Sequence, residues 1–287
     1  MTNHTKPNKA ESANKITIPV HPKKRPTVFR ATQPNHVVIV VEENHSSGQI
    51  IGNKHAPYIN RLARQGARLT NFHAETHPSQ PNYLYLFSGS NHGVTGDSCP
   101  HTFSAPNLAS ELIANHWTFA GYSEDLPSVG FKGCNNAPWW KAWTATYVRR
   151  HSPWVDFTNV PASANKPFKK FPSDFSRLPT VSFVIPNLNH DMHDGTINQA
   201  DQWLKRNIGP YVKWARTHNS LLILTWDEND KSKGNKIPTL FVGPMVQQGT
   251  YNKRLNHLNV LRTLEDLYGL PYAARSAKVD SITEIWK

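Results

Sequence analysis

The chain has 287 residues, 38% of them hydrophobic, enough to bury the core of one large domain or two small ones. No apolar run approaches the roughly eighteen residues of a membrane-spanning helix, which excludes an integral helical membrane protein. The formal net charge is +12, and half of it falls in residues 1–30, where seven Lys and Arg face one Glu. That stretch is rich in Pro, Asn, Lys and Thr, and residues 1–34 read as a basic, disordered N-terminal tail. Such a tail can bind polyanions, but the charge left over is mild and suits attraction of small anionic substrates without any need for nucleic acid.

The first ordered element is a buried strand over 36–41, whose apolar run Val37 to Val41 stops abruptly in Glu42, Glu43 and Asn44. A helix follows over 56–66, with Ile59, Leu62 and Ala63 on one face and Gly66 as its stop, and then a short strand over 69–72. The next segment, HAETHPSQPNYLYLFSGSNHG, places Ser79 and Thr76 ahead of an apolar stretch, with Pro81 suited to a first helical turn. A hydroxyl held there would face free helix N–H groups, a natural anion site. A helix over 107–116, capped by Asn107, precedes a strand over 118–122. From 123 to 170 the pattern dissolves into Trp, Pro, Gly and Asn; so long an irregular span reads as a lid or substrate wall, or as a satellite core packing its own aromatics.

A strand over 181–185 leads into NLNHDMHDG, and a helix over 197–214 breaks near Gly209 and Pro210. The strand over 221–225 ends in Asp227 and Glu228, a further strand spans 239–242, and a helix over 258–268 stops at Gly269, leaving 273–287 as a C-terminal tail. No internal repeat or second core is visible, so residues 35–272 read as one catalytic domain. Cys99 and Cys134 sit in loop settings suited to a disulfide. The start lacks the apolar core of a signal peptide, so the chain is either cytoplasmic or has had a leader removed; those cysteines and the family resemblance below favour a secreted or cell-surface mature form.

Three apolar strands that each end in oxygen donors point to one site, because in an open parallel α/β sheet ligands gather beyond the carboxyl ends of the strands. Glu43, Asn44, Asp191, His193, Asp194, Asp227 and Glu228 share that address, with His257 at a helix start. Carboxylates, imidazoles and an amide suit a divalent cation, and the preponderance of oxygen favours a hard one. A metal beside a hydroxyl nucleophile is suited to phosphoryl transfer. The serine-hydrolase elbow is absent, since GSNHG at 89–93 has its serine one place early, and neither a P-loop nor a dinucleotide fingerprint is present.

HVVIVVEENHS, THPSQPNYLYLFSGS, IPNLNHDMHDG, LTWDEND and NHLNVLRTLEDLYG, in that order, resemble the phosphoesterase family of bacterial acid phosphatases and non-specific phospholipases C, within the alkaline phosphatase superfamily. The resemblance covers roughly residues 35–270 and implies an α/β three-layer sandwich with a central, mostly parallel sheet between helices. It implies Glu43, Asn44, Asp227 and Glu228 as metal ligands, with Ser79 as the nucleophile of a phosphoserine mechanism and Thr76 as the alternative. Asp191, His193 and His257 would hold a second metal, or bind phosphate and protonate the leaving group, and His92 would touch phosphate. The Asp227-Glu228 pair and the neutral Asn44 depart from the Asp-His pattern of many dinuclear zinc sites, so one or two divalent ions are expected, drawn from Mg, Ca, Mn, Fe or Zn. The expected reaction is hydrolysis of small phosphate monoesters on the acid side of neutrality. The alternative is phosphodiester cleavage, with the Trp139 to Trp143 cluster as a head-group pocket.

Overall fold

Five consecutive β-branched residues, Val37 to Val41, are 0–1% exposed and form the centre of strand β1 (His36–Glu42). A strand buried on both faces reads as a continuous apolar run instead of an alternating one, and each side chain withdrawn from water contributes about 1.5–3 kcal/mol. In this computed structural model, which describes Met1, residues 31–232 and residues 234–287, β1 is followed by α1 (Ser47–Ile50), α2 (Pro57–Gln65), β2 (Ala67–Leu69), β3 (Phe72–His73), α3 (Ser79–Ser88), α4 (Leu108–Ala114) and β4 (Phe119–Ser123). Then come β5 (Asn165–Pro167), β6 (Val181–Ile185), α5 (Ile197–Asn207), α6 (Gly209–Ala215), β7 (Ser220–Trp226), β8 (Thr239–Val242), β9 (Gly249–Tyr251), β10 (Leu255–Asn256) and α7 (His257–Tyr268). The basic stretch read as a tail lies, from residue 2 to residue 30, outside the described residues.

The main sheet has eight strands in the order β5-β4-β6-β1-β7-β8-β2-β9, with only β8 running against the rest. β1 lies between β6 and β7, parallel to both, with Val37 opposite Val181 on one side and Leu221 on the other. The carboxyl ends of β1, β6 and β7 therefore open on the same edge. Helices α3, α4 and α7 pack together as one layer, and α2, α5 and α6 as another. Glu42 and Glu43 show that these layers cover opposite faces. Successive side chains alternate across a strand, and the Glu42 carboxyl is influenced by Asp201 of α5 whereas Glu43 accepts a hydrogen bond from Ser79 of α3.

The helix signals work locally. Asn107 Oδ1 accepts from the Ser110 N–H at 2.9 Å while Ser110 Oγ accepts from the Asn107 N–H at 3.0 Å, a reciprocal cap on α4. Gly269 ends α7 in the left-handed conformation, at φ 65°. The segment 69–72, expected as one strand, is split by a turn at Thr70 and Asn71: β2 pairs with β8 and β9, whereas β3 pairs with β10 in a separate two-stranded sheet. The segment read as a C-terminal tail is anchored, with Ile282 and Ile285 wholly buried and the Trp286 ring edge-on to Phe241. Trp154 fills the core of the irregular span, against Phe119 and Phe183, and its indole N–H donates to Asn165 Oδ1 at 2.8 Å. Cys99 and Cys134 are joined by a disulfide that ties the span to the loop after α3.

Candidate active site

Ser79 is the first residue of α3, a helix in which every residue is buried because sheet, neighbouring helices and the turns at 149–156 enclose it. Its hydroxyl donates to Glu43 Oε2 at 3.1 Å and lies 3.5 Å from both Asn44 Oδ1 and Glu228 Oε1. Asn44 follows the end of β1 in the left-handed region, at φ 47°, which Asn tolerates better than most residues. The turn lets its backbone N–H donate to Asp227 Oδ1 at 3.2 Å while its amide oxygen faces the carboxylates of Glu43 and Glu228, acceptor against acceptor. Turned over, the amide nitrogen would donate to Glu228 Oε1 at 3.2 Å and Glu43 Oε2 at 3.3 Å. Left as it stands, oxygens of Glu43, Asn44 and Glu228 converge on the Ser79 hydroxyl, the four residues coming from three separated segments.

The charges in this cluster oppose one another. Burial, then Glu228, pushes the Asp227 carboxyl up to about 7, and burial, then Asp97, pushes Glu228 up to about 7. Glu43 and Asp191 are raised well above the usual carboxylate range, again chiefly by burial. Asp191 Oδ2 and Asp227 Oδ2 are buried without a hydrogen-bond partner. Carboxylate oxygens gathered out of water, with Asp191 Oδ2 and Asp227 Oδ2 orphaned, form the donor set that a hard divalent cation satisfies. Glu43, Asn44, Asp227 and Glu228 therefore fit a metal, with the Ser79 hydroxyl at its side.

A second group shares Glu43. Ligand atoms of Glu43, His151 and Asp191 lie within 4.8 Å of one another, all buried. His151 Nε2 is 3.3 Å from Glu43 Oε1 and its Nδ1 is 3.6 Å from Asp191 Oδ2. Burial, then Arg150 and His193, keeps the imidazole neutral, the form that ligates metals. Tyr83 stacks on His151 at 5.0 Å and its hydroxyl donates to Glu43 Oε1, so one Glu43 oxygen faces Ser79 and the other faces His151.

Sequence reasoning passed over His151, Tyr83, His77 and Arg150. His77 Nδ1 pairs with Glu228 Oε2 at 2.5 Å, and lies in the quoted THPSQPN motif two residues before Ser79. His151 and Arg150 come from the irregular span, where no periodicity marks them; only placement beside Glu43 and Asp191 reveals them. Arg149, also in the irregular span, is committed elsewhere, its Nε donating to Asp156 Oδ1 at 2.9 Å and its guanidinium to the Lys132 and His101 carbonyls.

Other expected residues fall differently. His193 borders the second group, its ring 6.1 Å from His151, with Nδ1 held by Asp194 Oδ1 at 2.7 Å and its N–H donating to Asp191 Oδ1. His257 is buried with both ring nitrogens engaged, Nδ1 with Glu75 Oε2 at 2.8 Å and Nε2 with the Trp226 carbonyl at 2.9 Å. Burial opposes its charge, but Glu75, the Trp226 carbonyl and Asp227 together outweigh that and raise its pKa; a doubly protonated ring donates in both directions. So held, it orients the strand end that carries Asp227 and is not free to protonate a leaving group. Thr76 donates to the His77 carbonyl at 3.2 Å and makes no bond to the carboxylates. His92 lies beyond the far end of α3, stacked on Phe103 and bonded to Ser88 Oγ, so a role at phosphate does not fit. Trp139, Trp140 and Trp143 are 86%, 57% and 80% exposed and form no pocket.

A buried hydroxyl among carboxylates at the carboxyl edge of a mostly parallel sheet, between two helical layers, defines an alkaline-phosphatase-like α/β hydrolytic fold. Solved structures agree on that fold at low identity. A protein of the alkaline phosphatase superfamily from Vibrio parahaemolyticus superposes with a TM-score of 0.58 at 12% identity, over 90% of this chain and 75% of its own. A phosphonate monoester hydrolase from Silicibacter pomeroyi does so with a TM-score of 0.58 at 10% identity, over 83% and 74%. The chain belongs to the phosphoesterase family, whose model matches residues 53–271. It is 52% identical over 254 residues to a phosphatidylinositol-3-phosphatase of Mycobacterium tuberculosis, covering 88% of this chain and 82% of that protein. It is 32% identical over 231 residues to a phosphate-repressible acid phosphatase of Penicillium chrysogenum, covering 76% of this chain and 55% of that protein.

Proposed function

We propose that the chain is a metal-dependent phosphomonoesterase that works through a phosphoserine on Ser79. The observation that carries the reading is the Ser79 hydroxyl, 3.1 Å from Glu43 Oε2 and within 3.5 Å of Asn44 and Glu228. Ser79 Oγ attacks phosphorus, its proton passes to Glu43 Oε2, and the alcohol leaves from the opposite side. Water then attacks the phosphoserine and returns the serine hydroxyl, releasing inorganic phosphate. Glu43, Asn44, Asp227 and Glu228 would hold one divalent ion, and Glu43, His151 and Asp191 suit a second. A bound cation lowers the hydroxyl pKa and neutralises charge on the non-bridging phosphate oxygens.

Of the two histidines expected to act as general acid, His193 is part-exposed beside the cluster and protonates the leaving group, whereas His257 positions Asp227. Arg150, whose charge stabilises the anionic forms of Glu43 and Asp191, supplies the cation for outer phosphate oxygens and so favours monoesters over diesters. The diesterase alternative depended on a tryptophan-lined head-group pocket, and those rings are exposed. Names of relatives, a phosphatidylinositol-3-phosphatase and an acid phosphatase, favour a monoester substrate as well. Among the described residues no helix is long and apolar enough to cross a membrane; the disulfide supports placing the protein in an oxidising compartment, as a secreted or surface-held form.

Acid quenching during turnover, followed by peptide mass mapping, tests the mechanism. Phosphate on the Ser79 peptide is expected; a phosphate-free Ser79 peptide under conditions of steady turnover would overturn it.

A further inference from the structure

The segment Pro138 to Thr144 is exposed at every residue, yet three of its seven side chains are tryptophans. Trp139 and Trp140 meet edge to face at 5.7 Å, so their rings form one projecting apolar tip instead of folding back on the core. The base of the loop is firmly tied. Asn135 bridges Val148 in antiparallel fashion, the Arg149 N–H donates to the carbonyl of disulfide-bonded Cys134 at 2.9 Å, and Asn136 Oδ1 accepts from the Thr146 and Tyr147 N–H groups. A rigid base with a water-exposed apolar tip costs hydration free energy unless something covers the tip.

Two features identify the cover. From residue 126 to residue 155 the chain has no acid, and Lys132 and Lys141 stand exposed there, within a molecule of net charge +12. Tryptophan flanked by Lys is the composition of the bilayer interface, where the ring sits at head-group depth and the amine meets anionic lipid. The loop also abuts the site. Three residues beyond Val148 stands His151, 3.3 Å from Glu43 Oε1, and the Leu188 N–H donates to the Thr146 carbonyl at 2.9 Å, joining the loop to the turn that carries Asp191. A surface engaging the tip would meet the rim of the catalytic cleft.

We propose that Trp139, Trp140, Lys141 and Trp143 dock the protein onto an anionic phospholipid bilayer and present its site to phosphomonoesters carried on lipid head groups. The catalytic half of this proposal rests on the Ser79 reading above; the docking half does not. A single loop gives reversible attachment, because three interfacial rings and one Lys bury far less apolar area than an inserted helix.

The test uses the full chain and a variant with Trp139→Ala, Trp140→Ala and Trp143→Ala, co-sedimented with vesicles of phosphatidylcholine alone or mixed with phosphatidylserine. Both proteins are also assayed on p-nitrophenyl phosphate in solution and on phosphatidylinositol monophosphate in the mixed vesicles. The expected result is binding of the parent to mixed vesicles, weakened about tenfold or more in the variant, with lipid turnover falling in parallel and p-nitrophenyl phosphate turnover unchanged. Equal vesicle binding by the two proteins would overturn docking. A parent that fails to bind vesicles but forms a dimer that the triple substitution abolishes would assign the patch to a second copy and also overturn it. A parent that binds vesicles but hydrolyses neither substrate would retain docking and reject the Ser79 reading.

Discussion

Replacing Asp227 by Asn should stabilise the metal-free protein, although it removes a residue assigned to the site. Asp227 is 1% exposed, its Oδ1 accepts from the Asn44 N–H at 3.2 Å, and its Oδ2 has no partner. Asn is isosteric, keeps the Oδ1 acceptor, and puts an NH₂ where an unpaired anionic oxygen stood, close to Glu228. Folding moves the carboxyl from 3.8 to about 7. At about 1.4 kcal/mol per unit, that displacement sets an upper bound of roughly 4 kcal/mol on the cost of the folded anion. Part of the bound is repulsion from Glu228, which would relax, so a gain of about 2 kcal/mol is expected, or several degrees in Tm for a chain of this size. The sign with pH follows from linkage. Because the folded-state pKa is the higher one, the wild type becomes more stable as pH falls from 7 towards 4, and Asp227→Asn lacks that dependence. The advantage of the variant is therefore full above pH 7 and gone near pH 4. Thermal melts of both proteins in chelator at pH 8, 6.5 and 5 measure it, and added divalent metal should raise the wild-type Tm more than the variant's. A variant less stable than wild type at pH 8, or an advantage that ignores pH, would refute the electrostatic account of the cluster.

Ser79→Ala should lower kcat on p-nitrophenyl phosphate by about a thousandfold or more while leaving Tm nearly unchanged, because the hydroxyl's bonds are replaceable and the helix does not depend on them. His257→Gln should weaken metal affinity by about tenfold, measured by titration with thermal readout, since it loosens the Trp226 carbonyl beside Asp227; an unchanged affinity would remove its positioning role. Arg150→Ala should reduce the preference for monoesters over diesters, read as the ratio of kcat/KM for the two. Gly121→Ala should cost about 3 kcal/mol or more, seen in denaturant melts, because a Cβ there would lie 2.0 Å from Trp154 Cε2, a ring held by the core.

The central strands were legible because burial on both faces leaves an unmistakable apolar run, as in Val37 to Val41 and Val181 to Ile185, and their shared parallel edge follows from fold chemistry. The caps at Asn107 and Gly269 were equally local signals. What escaped depends on contacts between distant positions. β5, β9 and β10 are two or three residues long and exist only through their partners. His151 lies 108 positions from Glu43 in a span of short turns, and nothing in its neighbours distinguishes it from His92, which the fold sends to an aromatic cluster instead. The three tryptophans were visible in the sequence, but composition alone does not tell a pocket wall from an exposed tip; the anchored base of the loop decides that.

The central claim is a phosphomonoesterase in which Ser79 is the nucleophile. Its most direct measurement is the ratio of turnover on p-nitrophenyl phosphate to that on bis(p-nitrophenyl) phosphate, at mildly acidic pH with excess divalent metal, for the wild type and Ser79→Ala. A ratio well above one and loss of both activities in the variant are expected. A ratio below one, or a Ser79→Ala protein that turns over at the wild-type rate, would contradict it.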